Sequence, residues 1–144
     1  MRFQAAVVVA LSGLAPSCSS DCDVDACANA VATDEAVQCG HFTSSQDTTE
    51  GVNCALAAQQ GGKPFTLHLD LQGIDSFVAE VFARTPSGKA YWFQYDSMGA
   101  TWYLGGGTGR VSKRPCSGFA LDPMGQSGPT LTCEEAGEAV IDCK

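Results

Sequence analysis

Eight cysteines, at positions 18, 22, 27, 39, 54, 116, 133 and 143, constrain this chain more than any other feature. In an oxidising compartment such a set reads as a disulfide framework. In a reducing one it reads as metal ligands or catalytic groups. The compartment therefore has to be read first. Met1 to Gln4 is a short start carrying Arg2, Ala5 to Leu11 is uninterrupted apolar sequence, and Ser12, Gly13 and Pro16 end it. Charge, apolar core and small-residue exit in that order are the layout of a secretory signal peptide. The run falls well short of the roughly 18 apolar residues that a membrane-spanning helix needs. Residues 1–17 are accordingly read as an address, and fold reasoning starts near residue 18.

Two exits from that address fit the sequence. Leu14-Ala15-Pro16-Ser17-Cys18 resembles a bacterial lipobox, which implies lipid attachment at Cys18. It departs from the usual pattern by placing Ala15 where Leu is customary. Ser19 after the cysteine then implies the outer membrane. Ala15-Pro16-Ser17 also satisfies the small-x-small rule of ordinary cleavage, which leaves a periplasmic or extracellular protein. The expectation is the lipid anchor, and parity pulls against it. Lipidation leaves seven thiols (Cys22, Cys27, Cys39, Cys54, Cys116, Cys133 and Cys143) and one of them unpaired, whereas ordinary cleavage allows four bridges. Two local pairings have a geometric reason, Cys133–Cys143 and Cys116–Cys133, each across a candidate hairpin. Cys133 cannot do both, and the shorter loop favours Cys133–Cys143.

Removal of residues 1–17 leaves 127 residues with seven basic side chains against sixteen acidic, a net charge of −9. An acidic chain is a poor nucleic-acid binder, because phosphate contacts need clustered Lys and Arg. An apolar fraction of 44% excludes disorder. A chain of this size buries enough surface for a core of its own, so the bridges reinforce a fold and need not create it.

Periodicity gives the elements. Val24, Cys27, Ala28 and Val31 repeat at helical spacing, with Asp21 or Asp23 as cap. The alternating Asp21, Asp23 and Asp25 resemble the start of a calcium loop, but Ala26 and Ala32 stand where that loop needs Gly and Glu. A short strand is expected from Val37 to Thr43. A helix follows from Gly51 to Gln60, capped by Thr48 or Thr49 and stopped by Gly61-Gly62. The rest is β. Phe65, Leu67, Leu69 and Leu71 alternate with polar residues as in a half-buried strand, Ser76 to Arg84 reads as a central strand, and Lys89 to Asp96 as a third. Shorter strands are expected at Thr101 to Leu104, Arg110 to Lys113, Gly118 to Leu121, Thr130 to Cys133 and Ala139 to Asp142. Short, turn-like connectors point to an antiparallel meander and away from parallel crossovers. The expected class is α+β: one or two helices on an antiparallel sheet, stapled by disulfides. The expected division is 1–17 signal peptide, 18–36 anchor or linker with a short helix, and 37–144 a single domain.

Cys39-Gly40, Cys54-Ala-Leu-Ala-Ala ahead of Gly62-Lys63-Pro64-Phe65, Gly73-Ile74-Asp75-Ser76, Tyr95-Asp96-Ser97, the glycine-rich turn and three spaced cysteines together resemble small cysteine-rich exported proteins of the myxobacterial kind, many of them predicted lipoproteins. The resemblance spans the mature chain. It implies export and disulfides and supplies no activity.

Signatures of catalysis are missing. There is no His-Glu-x-x-His, no Gly-x-Ser-x-Gly and no P-loop. Gly105-Gly106-Gly107-Thr108-Gly109-Arg110 lacks the Lys-Ser/Thr of a phosphate loop and reads as a connector between strands. No metal or other cofactor is expected, since there is no Cys-x-x-Cys and His41 and His68 lack paired ligand spacing. His68 reads as a surface histidine. His41, beside Cys39, could depress a thiol pKa only if that cysteine were free. The basic residues Arg110, Lys113 and Arg114 read as a solvated face. The best candidate binding surface is aromatic: Tyr91, Trp92, Tyr95 and Trp102, with Phe93 and Tyr103 close by. Tyr91, Phe93 and Tyr95 share one face of their strand and Trp92 the other, so that one set packs as core and the other is free to meet a sugar, peptide or protein. The functional expectation is a non-catalytic envelope protein that binds or scaffolds an unidentified envelope or extracellular partner. The alternative is a secreted hydrolase using His68 and Asp70, or an inhibitor presenting the loop from Pro123 to Pro129.

Overall fold

A computed structural model describes residues 22–74, 76–97 and 109–143, the side chains of 142 and 143 excepted. Helix α1 (Val24–Ala32) begins on Asp23, whose carboxylate accepts from the Asp25 and Ala26 N–H groups at 2.9 and 3.1 Å. The aspartates that resembled a calcium loop thus resolve, at Asp23, into a helix cap. Strand β1 (Val37–Phe42) and helix α2 (Thr49–Gln60) follow. Thr48 stands at the α2 cap position, but its hydroxyl donates to the Pro129 carbonyl at 2.5 Å. Capping passes to Asp47, which takes the Thr49 N–H at 2.9 Å and the Thr49 hydroxyl at 2.6 Å.

The β half runs β2 (Phe65–Gln72), β3 (Phe77–Arg84), β4 (Ala90–Asp96), β5 (Arg110–Cys116), β6 (Phe119–Asp122), β7 (Thr130–Cys133) and β8 (Val140–Cys143). One sheet has the order β1-β2-β3-β4-β5-β8, and β6 pairs with β7 in a separate antiparallel ribbon. The strand expected at Thr101 to Leu104 lies outside the described residues. The class is α+β, two helices on a mostly antiparallel sheet. One pair departs from the expected meander, since β1 and β2 are parallel and joined through α2. Two neighbouring strands linked by a whole helix bring the chain back to the same end of the sheet, which makes them parallel.

The sheet is covered on both faces. Val24, Cys27, Ala28, Val31 and Ala32 of α1 pack with Ala79, Val81, Ala83, Phe93 and Val111. On the opposite face α2 packs Val52, Ala55 and Ala58 against Phe65, Leu67, Leu69 and Phe82, and the β6–β7 ribbon adds Phe119 and Leu131. Strand β2 is therefore buried on both sides, against the half-buried expectation: Thr66 and His68, on its polar face, lie on the α1 side and are buried too, 7% and 8% exposed. The segment read as anchor or linker carries α1 and is part of this core.

Two disulfides lie on the α2 face. Cys39–Cys54 ties β1 to α2, and Cys116–Cys133 ties the end of β5 to β7, with Cα separations of 5.5 and 5.3 Å. The second overturns the preference for Cys133–Cys143. The β6–β7 ribbon folds back so that Phe119 pairs with Cys133, which brings Cys133 beside Cys116. Cys143 instead lies on β8, opposite Val111 of β5. Cys22 and Cys27 are disulfide-bonded as well, so every cysteine whose side chain is described is bridged.

Candidate functional site

His41, His68, Asp25 and Asp70 meet on the α1 face, and a single glycine brings them there. Val37 pairs with Phe65 and Gln38 with Thr66, but the next pairing is His41 with His68. Three residues of β1 thus span two of β2, the signature of a bulge. Gly40 supplies the extra residue with φ +102°, a conformation that suits glycine. In a regular ladder Gly40 would take the place opposite His68, and His41 would fall on the α2 face with Cys39 and Leu69. With the bulge, the two imidazoles stack, ring centroids 3.8 Å apart and planes 17° from parallel. Phe42 then returns to the α2 face beside Leu69.

Asp70 lies two residues beyond His68 on the same face of β2 and accepts from both rings. One oxygen takes His68 Nε2 at 2.9 Å and the other takes His41 Nε2 at 3.0 Å. Asp25 arrives from above, in the first turn of α1, with its Oδ1 2.6 Å from His68 Nδ1. Every ring nitrogen of His68 thus faces a carboxylate. The His68 side chain is only 10% exposed and Asp70 14%, whereas His41 and Asp25 are about half open to water. Burial alone would pull the His68 pKa down. The hydrogen bonds and charges of Asp25 and Asp70 outweigh it and hold the imidazole above its usual value. The hydrogen bond from His68 likewise holds the Asp25 carboxyl below the ordinary range, against its own desolvation.

Sequence alone suggested His68 with Asp70 and placed both on the surface. The structure joins them but buries His68 under α1. It also adds two partners that spacing does not reveal. The one local signal for His41 was the glycine before it within a short strand, a mark of a bulge. Cys39 beside it is bridged, so no thiol stands there to be activated.

The aromatic residues divide between faces as alternation requires. Tyr91 and Tyr95 pack, half-buried, against the α1 core, and Trp92 against the α2 core. Trp92 lies near-parallel to Phe82, with the Arg114 guanidinium 5.3 Å above its ring. Its indole N–H is buried without a partner among the described residues. Trp102 lies outside them, as does Cys18. Of the basic cluster only Arg110 is exposed. Lys113 is buried, its ammonium 5.0 Å from the Tyr91 ring, so it is held over an aromatic face and not in water. The loop from Pro123 to Pro129 is tied down: Gln126 exchanges hydrogen bonds with the Gln72 backbone at 3.0 and 3.2 Å, and the Ser127 hydroxyl donates to the Ser44 carbonyl.

No helix among the described residues is long and apolar enough to cross a membrane. Comparison with protein-family models, with curated proteins and with solved structures finds no match for this chain.

Proposed function

We propose that this is an exported cell-envelope protein, anchored by lipid at Cys18, with a binding or scaffolding role and no catalysis of its own. The observation that carries the non-catalytic reading is the saturation of His68. A Ser-His-Asp hydrolase needs a carboxylate on one ring nitrogen and a hydroxyl on the other. Here the second position belongs to Asp25. Export is supported by the leader-like first residues and by bridges that persist only where thiols are oxidised. The intact mass of the protein extracted from cell envelopes, with thiol labelling, tests the reading. A chain beginning at an acylated Cys18 supports it. An unmodified chain recovered reduced from the cytoplasm removes it.

The hydrolase reading has one observation in its favour, the His68–Asp70 hydrogen bond. It requires that His68→Gln abolish a measured hydrolysis while the protein remains folded. The aromatic version of the binding role is lost if Trp92→Ala and Trp102→Ala leave every detected interaction unchanged.

A further inference from the structure

Asp70 does more than cap two rings. A carboxylate accepting from Nε2 of both histidines fixes both as Nε2–H donors, which leaves Nδ1 of each ring as the atom able to offer a lone pair. Nδ1 of His68 faces Asp25 Oδ1, and one ligand atom from each of Asp25, His41 and His68 lies within 4.8 Å of the other two. Three elements far apart in sequence thus gather two imidazoles and a carboxylate, with an outer carboxylate behind them.

We propose that Asp25, His41 and His68 form a binding site for a divalent transition-metal ion of the zinc class, with Asp70 as the carboxylate that orients both imidazoles. The donor set selects the metal. Imidazole suits zinc, copper and nickel, whereas calcium and magnesium take oxygen ligands. Two histidines and one carboxylate are the three protein ligands of an open tetrahedral site. Bonds of about 2.0–2.1 Å place tetrahedral ligand atoms about 3.3 Å apart. The Asp25–His68 contact, now 2.6 Å, has to open by roughly 0.7 Å to admit an ion of that geometry, and the half-exposed His41 ring has to turn out of its stack on His68 so that both lone pairs meet the ion. Asp25 is the half-exposed member, in the first turn of a helix, and has the freedom to swing outward. The ion takes the place of the proton shared across that contact, which leaves to solvent. The exposed side of His41 and Asp25 leaves a fourth coordination position open to water or to a group from a partner. The inference is independent of the export reading; it shares the His68–Asp25 contact with the non-catalytic reading, and its test reads metal binding alone.

The test is calorimetric titration of the oxidised, untagged full chain with Zn²⁺ near neutral pH, with Ca²⁺ as control. One Zn²⁺ per chain, undisturbed by excess Ca²⁺, is the expected result. Asp70→Asn keeps the three ligands and is expected to weaken binding about 10–100-fold. His41→Ala removes a ligand at an exposed position and is expected to weaken it at least as much, with an unchanged circular-dichroism spectrum showing that the fold is retained. His68→Gln, if it folds, behaves likewise. The proposal is overturned by the absence of binding at millimolar Zn²⁺, by equal competition from Ca²⁺, or by full binding in His41→Ala.

Discussion

Two acidic side chains of this protein respond to burial in opposite ways, and the difference lies in their partners. Glu80, on the α2 face of the sheet, is raised above the usual carboxylate range by desolvation, which a 3.3 Å hydrogen bond from Gln94 only partly offsets. Asp25 is lowered, because a cationic imidazole outweighs its burial. A raised folded-state pKa means that ionised Glu80 opposes folding at neutral pH, and that the opposition fades as pH falls toward its unfolded value. Glu80→Gln is therefore expected to raise the melting temperature at about pH 7 and to leave it nearly unchanged at about pH 4. A lower melting temperature at both would show that Glu80 acts through some other contact. In the His68–Asp25 pair the charged forms stabilise the fold instead of opposing it. With its folded pKa above 6.5, His68 stabilises fully below pH 6.5, and that stabilisation is lost as pH rises through the raised value. With its folded pKa below 3.8, Asp25 stabilises above pH 3.8, and that stabilisation is lost as pH falls through the lowered value. Asp70 and His41 are the other titratable side chains facing the pair. In chelator, the protein should melt higher at about pH 5.5 than at about pH 8.5, and His68→Gln should remove most of that difference. A pH profile identical in the variant would assign the effect to other groups.

At the scale of elements, packing decides where propensity points elsewhere. Gly51 sits in the first turns of α2, where alanine would ordinarily favour the helix by about 1 kcal/mol. A Cβ there would come within 2.3 Å of Phe42 and 2.7 Å of Leu67, so glycine is what lets α2 close onto β1 and β2. Gly40 matters for register. Gly40→Ala places a Cβ 2.9 Å from the Phe42 ring at φ +102°, and is expected to cost about 1–3 kcal/mol in urea unfolding. Because the bulge is what turns His41 toward His68, the same variant should also lose the histidine–carboxylate cluster, read as weakened Zn²⁺ binding. Stability lost with binding intact would show that the bulge survives without glycine. These cases also mark how far the sequence could be read. Local periodicity is enough to locate both helices and β2, β3 and β4 within a residue or two, because each carries its own repeat of apolar positions. It did not show that α1 lies over Thr66 and His68, because that cover comes from residues about 40 positions away. The bulge was legible only as a glycine in a strand, and the parallel β1–β2 pair only as a helix between two strands.

For the molecule as a whole, the two α2-face bridges answer a weakness of the architecture. Strand β1 is at an edge, paired on one side only, and the β6–β7 ribbon belongs to no larger sheet. A two-stranded ribbon is marginal alone. Cys39–Cys54 fastens the edge strand to its helix, and Cys116–Cys133 fastens the ribbon to β5. The bridges span 15 and 17 residues, and in the chain-entropy model a loop of that length stabilises by about 3 kcal/mol. Single domains have only about 5–15 kcal/mol in all, so losing both would bring this fold near its threshold. All four cysteines pack in the same apolar cluster, so the two contributions need not add. The paired substitution Cys39→Ala with Cys54→Ala is expected to lower the unfolding free energy by about 3 kcal/mol in urea. Its slope against urea should rise, because the unfolded chain is released from a loop. Cys39 also adjoins the bulge, so the variant's Zn²⁺ affinity separates two roles for the bridge. Stability lost with affinity unchanged makes the disulfide a constraint on the unfolded chain alone. Loss of both makes it the brace that holds β1 in the register the histidines need.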